Sequence, residues 1–232
     1  MKCADPILCY TSERRRQLRH FSLASFLFKQ MAQQVFNCGT CEACRKKRAH
    51  ELAIRCVLHA SLSEQNCFLT LTYDENLPDY HNKLQYSDIQ KFKKRLRRWC
   101  EHHDNKKIQI FNVHEYGKKG KKHWHLVVFN HDFSDKQLKF VKNGNKLFTS
   151  KQLAKLWPHG LHTIGDVTEA SAMYQSQYTQ KDFINGNAGN EKKSKSNHSG
   201  IGRDFFLQNY KQILTLGYIP FSGKKIPVPR YF

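Results

Sequence analysis

Alternating apolar and polar positions predict that residues 122–129 form a β-strand. Because successive strand side chains point to opposite faces of a sheet, His123 and His125 are expected to leave the same face. Enrichment in β-branched and aromatic residues indicates further strands. These further strands cover residues 67–73, 108–116 and 161–167, and a small additional hairpin covers residues 140–148. The chain is therefore expected to build a sheet around the strand that carries the two histidines.

Apolar residues three and four positions apart predict helices between these strands. The clearest helix begins with Ser87 as its N-cap and Asp88 in its positively charged first turn. One side of this helix is apolar and is expected to cover the sheet. The opposite side is predicted to be cationic, with Lys91, Lys93, Lys94, Arg95, Arg97 and Arg98. The other predicted helices cover residues 45–62, residues 150–157 with Ser150 as N-cap, and residues 168–183.

The composition predicts one folded domain with a large positive charge. The chain has 232 residues, of which 39% are hydrophobic, enough for one sizeable core. Lysine and arginine total 39 against 19 acidic residues, a formal net charge of +20, and nucleic acid is the expected partner of such an excess. Without a long apolar run or a signal-peptide pattern, the chain is expected to be soluble and intracellular.

The chain is predicted to form one compact domain overall, built from four consecutive segments. Residues 1–62 are expected to be a basic, cysteine-rich extension that packs on a core of residues 63–184. Residues 185–202 are rich in Gly, Asn, Lys and Ser, which predicts a mobile loop rather than a folded element. Residues 203–232 are expected to form a C-terminal segment.

Three cysteines, Cys38, Cys41 and Cys44, follow the pattern C-x-x-C-x-x-C, a spacing that brings thiolates together around zinc. The alternative is three reduced thiols in a loop, whereas an iron–sulfur cluster is disfavoured because no fourth cysteine follows at ferredoxin spacing. A structural zinc ion takes four ligands, so the pattern lacks one. The candidates for the fourth position are Cys3, Cys9 and His50.

His123 and His125 are also candidate ligands of a divalent metal, since imidazole is the commonest nitrogen ligand. The alternative is a half-buried strand that merely carries two histidines. Glu115 is the expected third ligand, on condition that it lies opposite His123 or His125, because a one-residue slip would place it opposite Trp124 on the other face. Two imidazoles and one carboxylate leave room for water and a substrate oxygen, and with phosphate present Mg²⁺ or Mn²⁺ is the expected ion.

The helix predicted over residues 168–183 carries Tyr174, Tyr178 and Lys181 on one face. A phenol has a pKa of about 10 and is a poor nucleophile at neutral pH. It becomes effective when a cation favours the phenolate and a metal withdraws charge from the phosphate under attack. With the metal site, these residues form a coherent set for breaking a phosphodiester; the alternative is two tyrosines that pack the helix on the sheet.

In these motifs and their order, the chain resembles the replication initiators of the gokushovirus branch of the microviruses, within the HUH endonuclease superfamily. The departure is Trp124, a bulky residue between the two histidines of the motif. The resemblance covers Cys38 to Arg45, Phe68 to Tyr73, Glu115 to Gly117, His123 to His125, Tyr174 with Tyr178 and Lys181, Gly200 to Gly202, and Ile226 to Tyr231.

This resemblance implies an α+β fold, an antiparallel sheet of about five strands flanked by helices, with residues 63–184 as the HUH endonuclease core. It implies a rolling-circle initiator that nicks an origin, keeps the 5′ end as a phosphotyrosine, releases a 3′-OH primer and later rejoins strands. Tyr178 is the expected first nucleophile, because Lys181 follows it at the Y-x-x-K spacing of single-tyrosine enzymes, and Tyr174 is the alternate.

The resemblance further implies single-stranded origin DNA as the partner, together with host replication proteins, in the cytoplasm of a bacterial host. The residues expected to guide the DNA strand are Thr70, Thr72, Lys91, Lys94, Arg95 and Arg98. One alternative is a zinc-stabilised nucleic-acid-binding protein that performs no cleavage. Another is an HUH transposase or relaxase, which the cysteine pattern and the C-terminal motif disfavour.

Overall fold

A computed structural model describes residues 2–12, 15–20, 32–77, 85–116, 121–184, 194–195 and 200–232. Within these ranges, the described side chains exclude those of residues 8–12, 15–20, 32–34, 116, 177–184 and 194–195. The chain divides into two compact units, Met1–Ala49 and His50–Phe232. The segment boundaries expected from the sequence at residues 62, 184 and 202 stay a prediction.

The first unit contains a three-stranded antiparallel sheet that the sequence pattern did not indicate. Strands β1 (Ile7–Ser12), β2 (Arg15–His20) and β3 (Ala32–Phe36) are arranged in the order β2-β1-β3. Helix α1 (Glu42–Ala60) follows and continues into the second unit. It begins three residues earlier than the basic run at Arg45 suggested.

The second unit is built on one antiparallel sheet, and this confirms the α+β fold class. The sheet has seven strands in the order β10-β5-β6-β4-β9-β8-β7. The predicted hairpin is present as β7 and β8 at one edge, and the two-residue β10 lies at the other. The strands are β4 (Asn66–Thr72), β5 (Gln109–Tyr116), β6 (Lys122–Phe129), β7 (Gln137–Lys142), β8 (Asn145–Thr149), β9 (His162–Gly165) and β10 (Ser194–Lys195).

One face of this sheet is covered by helices α2 (Tyr86–Asp104) and α3 (Lys151–Leu156). The residues at alternate strand positions that point to this face are almost completely buried, as a two-layer packing requires. This layer is the largest core cluster, and it includes Leu69, Leu71, Trp124, Leu126, Val128, Ile89, Phe92, Leu96, Leu153 and Trp157.

The other face of the sheet is covered by α1 and by helix α4 (Glu169–Ile184). Here the remaining alternate positions form a second core cluster that includes Phe111, Val113, Val127, Phe129, Ala53, Cys56 and Ala172. His123 and His125 share this face with Val127 and Phe129, since all four lie at odd positions of β6. The two imidazoles are therefore on the same side of the sheet, as predicted.

The C-terminal segment folds into helix α5 (Arg203–Leu216) and the hairpin of β11 (Tyr218–Phe221) and β12 (Lys224–Pro227), which the sequence pattern did not indicate. Leu58 of α1, Ile213 of α5 and Ile219 of β11 form a third, small core cluster. The Arg55 guanidinium lies 3.6 Å from the ring centroid of Tyr231, in a cation–π contact. These contacts tie the end of the chain to the middle of α1.

The predicted cap of α2 is wrong, whereas that of α3 is confirmed. The N-cap of α2 is Gln85 and its side chain makes no capping bond, so Ser87 lies inside the first turn. The Asp88 carboxylate accepts a hydrogen bond from the Tyr73 hydroxyl at 3.0 Å, which couples the start of α2 to the end of β4. Ser150 is the N-cap of α3, and its hydroxyl accepts the Leu153 amide at 3.0 Å.

Most of the predicted mobile loop, residues 185–193 and 196–199, lies outside the described residues. Ser194–Lys195 falls within this segment and pairs with β5 as strand β10. No helix in the described ranges combines the length and the apolar character that a membrane span requires.

The two serines provide a matched test of helix capping. Ser150→Ala removes an N-cap and is expected to lower the free energy of unfolding by about 1 kcal/mol. Ser87→Ala changes an identical side chain in the first turn of α2 without removing a cap, so we expect a change below about 0.5 kcal/mol. Urea denaturation of both variants checks this expectation, and equal losses would contradict it.

Candidate active site

The candidate site depends on the register of three adjacent strands, β4, β6 and β5. Glu115 of β5 lies directly opposite His123 of β6. This pairing satisfies the condition that the sequence placed on Glu115 as a third ligand. On the other side of β6, Thr72 lies opposite His123 and Thr70 lies opposite His125. Five polar side chains from three strands are thereby brought to one face of the sheet.

The two threonines orient the imidazole rings. The hydroxyl oxygen of Thr70 lies 3.2 Å from Nδ1 of His125, and that of Thr72 lies 2.9 Å from Nδ1 of His123. An imidazole whose Nδ1 is held by a second residue presents Nε2 in a fixed direction, which is how metal-binding histidines are commonly arranged. The two ring centroids are 6.2 Å apart. Both rings therefore present Nε2 as the ligand atom.

Glu115 joins one imidazole to one tyrosine. Its Oε2 lies 3.0 Å from Nε2 of His125 and accepts a hydrogen bond from the hydroxyl of Tyr174 at 3.2 Å. The Tyr174 ring also packs edge-on against His125, with centroids 5.6 Å apart. His125 is 5% exposed, whereas Tyr174 is 43% exposed. The histidine is thus fixed inside the fold, while the phenol can be reached from outside.

Helix α4 is held against the sheet by its first two turns. The amide of Thr168 donates to the hydroxyl of Ser171 and the amide of Ser171 donates to the hydroxyl of Thr168, at 2.8 and 3.1 Å, a reciprocal arrangement that starts the helix. Ala172 is buried in the core of this face, and Nε2 of Gln175 donates to the carbonyl of Phe111 at 2.7 Å. These anchors fix the helix on both sides of Tyr174.

Two of the predicted catalytic residues, Tyr178 and Lys181, lie in α4, but their side chains are outside the described part of the chain. Tyr178 is four residues beyond Tyr174, which corresponds to about one helical turn. The structure therefore brings Glu115, His123, His125 and Tyr174 to one place. The expected roles of Tyr178 and Lys181 stay predictions.

The donor set suits a hard divalent cation. Adjacent ligand atoms of an octahedral Mg²⁺ ion lie about 3 Å apart, because each is about 2.1 Å from the ion. The 3.0 Å separation of Glu115 Oε2 and His125 Nε2 matches this spacing. In the described part of the chain, two groups of three or more metal-ligating side chains have all their ligand atoms within 4.8 Å of one another, and the predicted triad is neither of them. Since Glu115 and His125 are in contact, His123 is the ligand that stands apart.

The electrostatic surroundings keep the imidazole of His123 in the neutral form that metal binding requires. Burial lowers the pKa of His123 below its usual value of 6.5, and the neighbouring His125 lowers it further. The carboxylate of Glu115 acts in the opposite direction and raises the pKa of His123.

The cations expected to guide DNA lie on the other face of the sheet from the imidazoles. They belong to α2, whose apolar side packs in the core cluster of the opposite face. Lys93 is buried rather than part of the cationic side, because its ammonium donates to Oδ1 of Asn112 at 3.0 Å. Lys91, Lys94 and Arg98 are exposed, whereas Arg95 is half-buried and donates to the carbonyl of Leu156 at 2.8 and 3.1 Å. DNA contact by Lys91, Lys94, Arg95 and Arg98 stays a prediction.

The predicted cysteine motif gains a fourth member. The sulfur atoms of Cys3, Cys38, Cys41 and Cys44 all lie within 4.8 Å of one another. The backbone N–H of Cys41 lowers the pKa of Cys38 to about 6, whereas burial raises the pKa of Cys44 to about 12. Of the other candidates for the fourth position, the Cys9 side chain lies outside the described residues, and His50 is exposed and not part of the group. Pairing of β1 with β3 singles out Cys3, and local spacing alone gave no sign of that pairing.

Comparison with known proteins identifies the family. The family model for the replication-associated protein ORF2 matches residues 66–183, which include β4, β5, β6 and most of α4. The chain belongs to this family of replication-associated proteins, and the resemblance noted in the sequence is confirmed.

Three relatives with significant similarity are phage or viral replication-associated proteins. The chain is 34% identical to the ORF4 protein of Chlamydia phage 1, over 84% of this chain and 52% of that protein. It is 32% identical to the VP4 protein of Bdellovibrio phage phiMH2K, over 88% and 68%, and 32% identical to the ORF2 protein of Spiroplasma virus 4, over 84% and 65%. The chain thus spans about half to two thirds of the lengths of these relatives. No solved structure matches the chain significantly.

The arrangement around His123 predicts its titration. In the full chain kept in a metal chelator, we expect the His123 imidazole to titrate below 6.5, because burial and His125 disfavour the cation. Glu115→Gln should lower the pKa further, since the carboxylate favours the imidazolium. NMR of the ring carbon-bound protons measures this pKa, with the resonance assigned by its loss in His123→Gln. A value above 6.5, or a higher pKa in Glu115→Gln, would contradict the geometry.

Proposed function

We propose that this chain is a rolling-circle replication initiator, a site-specific DNA endonuclease and strand transferase that nicks single-stranded origin DNA. The observation that carries the proposal is the contact of the Tyr174 hydroxyl with Glu115, which in turn contacts His125. A phenol, a carboxylate and an imidazole from three separate elements meet at one exposed position. The names of the viral relatives support replication as the process.

The residues that would hold a divalent cation are His123, His125 and Glu115. When bound there, Mg²⁺ or Mn²⁺ would act as a Lewis acid that polarises a phosphoryl oxygen of the DNA. Thr70 and Thr72 hold the Nδ1 atoms and keep the Nε2 atoms available for the ion. In this proposal the two threonines are positioning residues for the imidazoles, in addition to their expected contact with the DNA strand.

The proposed reaction is a transfer of a phosphodiester from a sugar oxygen to a tyrosine oxygen. The phenolic oxygen attacks phosphorus, a bond between tyrosine and the 5′ phosphate forms, and the bond from phosphorus to the 3′ oxygen breaks. The leaving 3′ oxygen takes up a proton and becomes the 3′-OH primer. Tyr174 already donates its hydroxyl hydrogen to Glu115, so this carboxylate is a suitable acceptor for the proton that the phenol loses.

Two tyrosines suit the complete cycle. Tyr178 is proposed as the first nucleophile, with Lys181 three residues later to favour its phenolate by charge. Tyr174 is proposed as the second nucleophile, which attacks the regenerated junction while the parental 5′ end stays on its partner. Attack of a free 3′-OH on the phosphotyrosine reverses the first step, rejoins the strand and restores the phenol.

The charge of the chain supports single-stranded DNA as the substrate. A formal net charge of +20 attracts the phosphate backbone regardless of sequence. Since Lys91, Lys94 and Arg98 lie across the sheet from the imidazoles, a strand that contacts both sites would pass around an edge of the sheet.

Covalent adduct formation tests the proposed function. With origin-bearing single-stranded DNA and Mn²⁺, we expect the wild type to form a protein–DNA adduct that denaturing gels resolve. Tyr178→Phe should reduce the first adduct, Tyr174→Phe should reduce mainly strand transfer, and the double variant should lose the adduct by about three orders of magnitude or more. Tyr210→Phe, a change at an exposed tyrosine of α5, is the matched control and should react as wild type.

The outcomes separate the alternatives. An adduct that persists in the double variant would overturn the assignment of the nucleophiles. Loss of the first adduct in Tyr174→Phe but not in Tyr178→Phe would reverse their proposed order. A wild-type chain that binds the DNA but forms no adduct would be described better as a non-catalytic nucleic-acid-binding protein.

The threonine contacts predict a second effect. Thr72→Val keeps the shape of the side chain but removes the hydroxyl that holds Nδ1 of His123. Because such outer partners change metal affinity or activity by about 10–100-fold, we expect a loss of this size in Mn²⁺ affinity, measured by titration calorimetry. Thr163→Val, at a threonine of the neighbouring strand β9, is the matched control. Equal affinities of Thr72→Val and wild type would show that this hydroxyl does not position a ligand.

A further inference from the structure

Four cysteines of the first unit are arranged as donors to a single ion. The Sγ of Cys3 lies 3.5 Å from that of Cys38 and 3.8 Å from that of Cys41, and the Sγ atoms of Cys38 and Cys44 are 4.0 Å apart. Sulfurs about 2.3 Å from a zinc ion lie about 3.8 Å from one another in a regular tetrahedron. A disulfide would instead require a separation of about 2.05 Å. The spacing is that of ligands around a shared cation.

The topology of the first unit explains why Cys3 joins the other three. Strands β1 and β3 are antiparallel partners, and Ile7 lies opposite Phe36. The residues before β1 and those after β3 therefore meet at the same end of the small sheet, which places Cys3 beside Cys38. Cys41 directly precedes α1, and Cys44 lies in its first turn.

Backbone amides support two of the sulfurs. The N–H of Cys41 donates to Sγ of Cys38, and the N–H of Cys38 donates to Sγ of Cys3, both at 3.3 Å. Such bonds stabilise a thiolate, which is the form that binds metals. The turn between the two motif cysteines uses Gly39 with a φ of 75°, a conformation that glycine adopts without strain.

The first unit has little else to stabilise it. Among its described side chains, those of residues 2–7 and 35–49, only Cys44 and Ala49 are buried. Folded units of about 40 residues or fewer usually need a metal, a disulfide or a partner, since they bury too little apolar surface. A unit of 49 residues lies close to this limit.

We propose that Cys3, Cys38, Cys41 and Cys44 bind one Zn²⁺ ion, which fastens the end of the three-stranded sheet to the start of α1. Four thiolates select a soft, tetrahedral cation, and they leave no open position for a substrate or water. The ion is therefore structural. This site is independent of the nicking reaction proposed above, because it shares no residue with it.

Metal analysis of the full chain tests the proposal, with control variants that separate the two metal sites. After purification with a reductant, we expect about one zinc per chain by elemental mass spectrometry. Cys3→Ser should lose this zinc. His125→Ala, which alters the candidate active site, and Cys67→Ala, which removes a cysteine buried in β4, should both retain it.

A second measurement keeps the test decisive if Cys3→Ser fails to fold. Full-length wild type reconstituted with Co²⁺ should show the sulfur-to-cobalt charge-transfer band and the visible bands of a tetrahedral thiolate site. Cys3→His should keep the metal with a weaker charge-transfer band, since three thiolates and one imidazole also form a tetrahedral set. Substoichiometric zinc, iron in its place, a Cys3–Cys38 disulfide in the reduced preparation, or full zinc in Cys3→Ser would each overturn the proposal.

Discussion

The candidate site depends on the register between β6 and its two neighbours. A strand repeats every two residues, so a slip by one would move His123 and His125 to the face that α2 covers. Trp124, between the two histidines, opposes this slip because it is buried in the core on that other face. Its indole N–H donates to the hydroxyl of Tyr73 at 3.1 Å, and that hydroxyl donates to Asp88 of α2. The bulky residue in the motif thus anchors the two imidazoles from behind.

The site combines a rigid donor set with an accessible phenol. His125 is buried and held by Thr70 on one nitrogen and Glu115 on the other, so its ring has one orientation. Tyr174 is held at its hydroxyl and by an edge contact with His125, and nearly half of its surface is exposed. A reacting phosphate can therefore reach the phenol without displacing the buried imidazole. Such pre-organisation favours transfer chemistry over simple binding.

The parts of the fold that follow a local pattern were predictable from the sequence. Alternation located β4, β5 and β6, and helical spacing located α2 and α4. The three N-terminal strands and α5 were missed because their polar positions hide the period, and pairing between distant segments is what stabilises β1 to β3. The same reasoning explains Cys3, whose neighbours are set by strand pairing. Ser87 and Lys93 were misassigned because tertiary contacts, to Tyr73 through Asp88 and to Asn112, decide the start and the buried side of α2.

The most direct test of the account is the position of the covalent link to DNA. Trypsin releases residues 156–181 as one peptide, which contains Tyr174 and Tyr178 and no other tyrosine. After reaction with origin DNA, nuclease trimming and digestion, mass spectrometry should find the residual nucleotide on this peptide and on one of these two tyrosines. A nucleotide on any other residue, or an unmodified peptide from a chain that has cleaved the DNA, would contradict the central claim that α4 supplies the nucleophile.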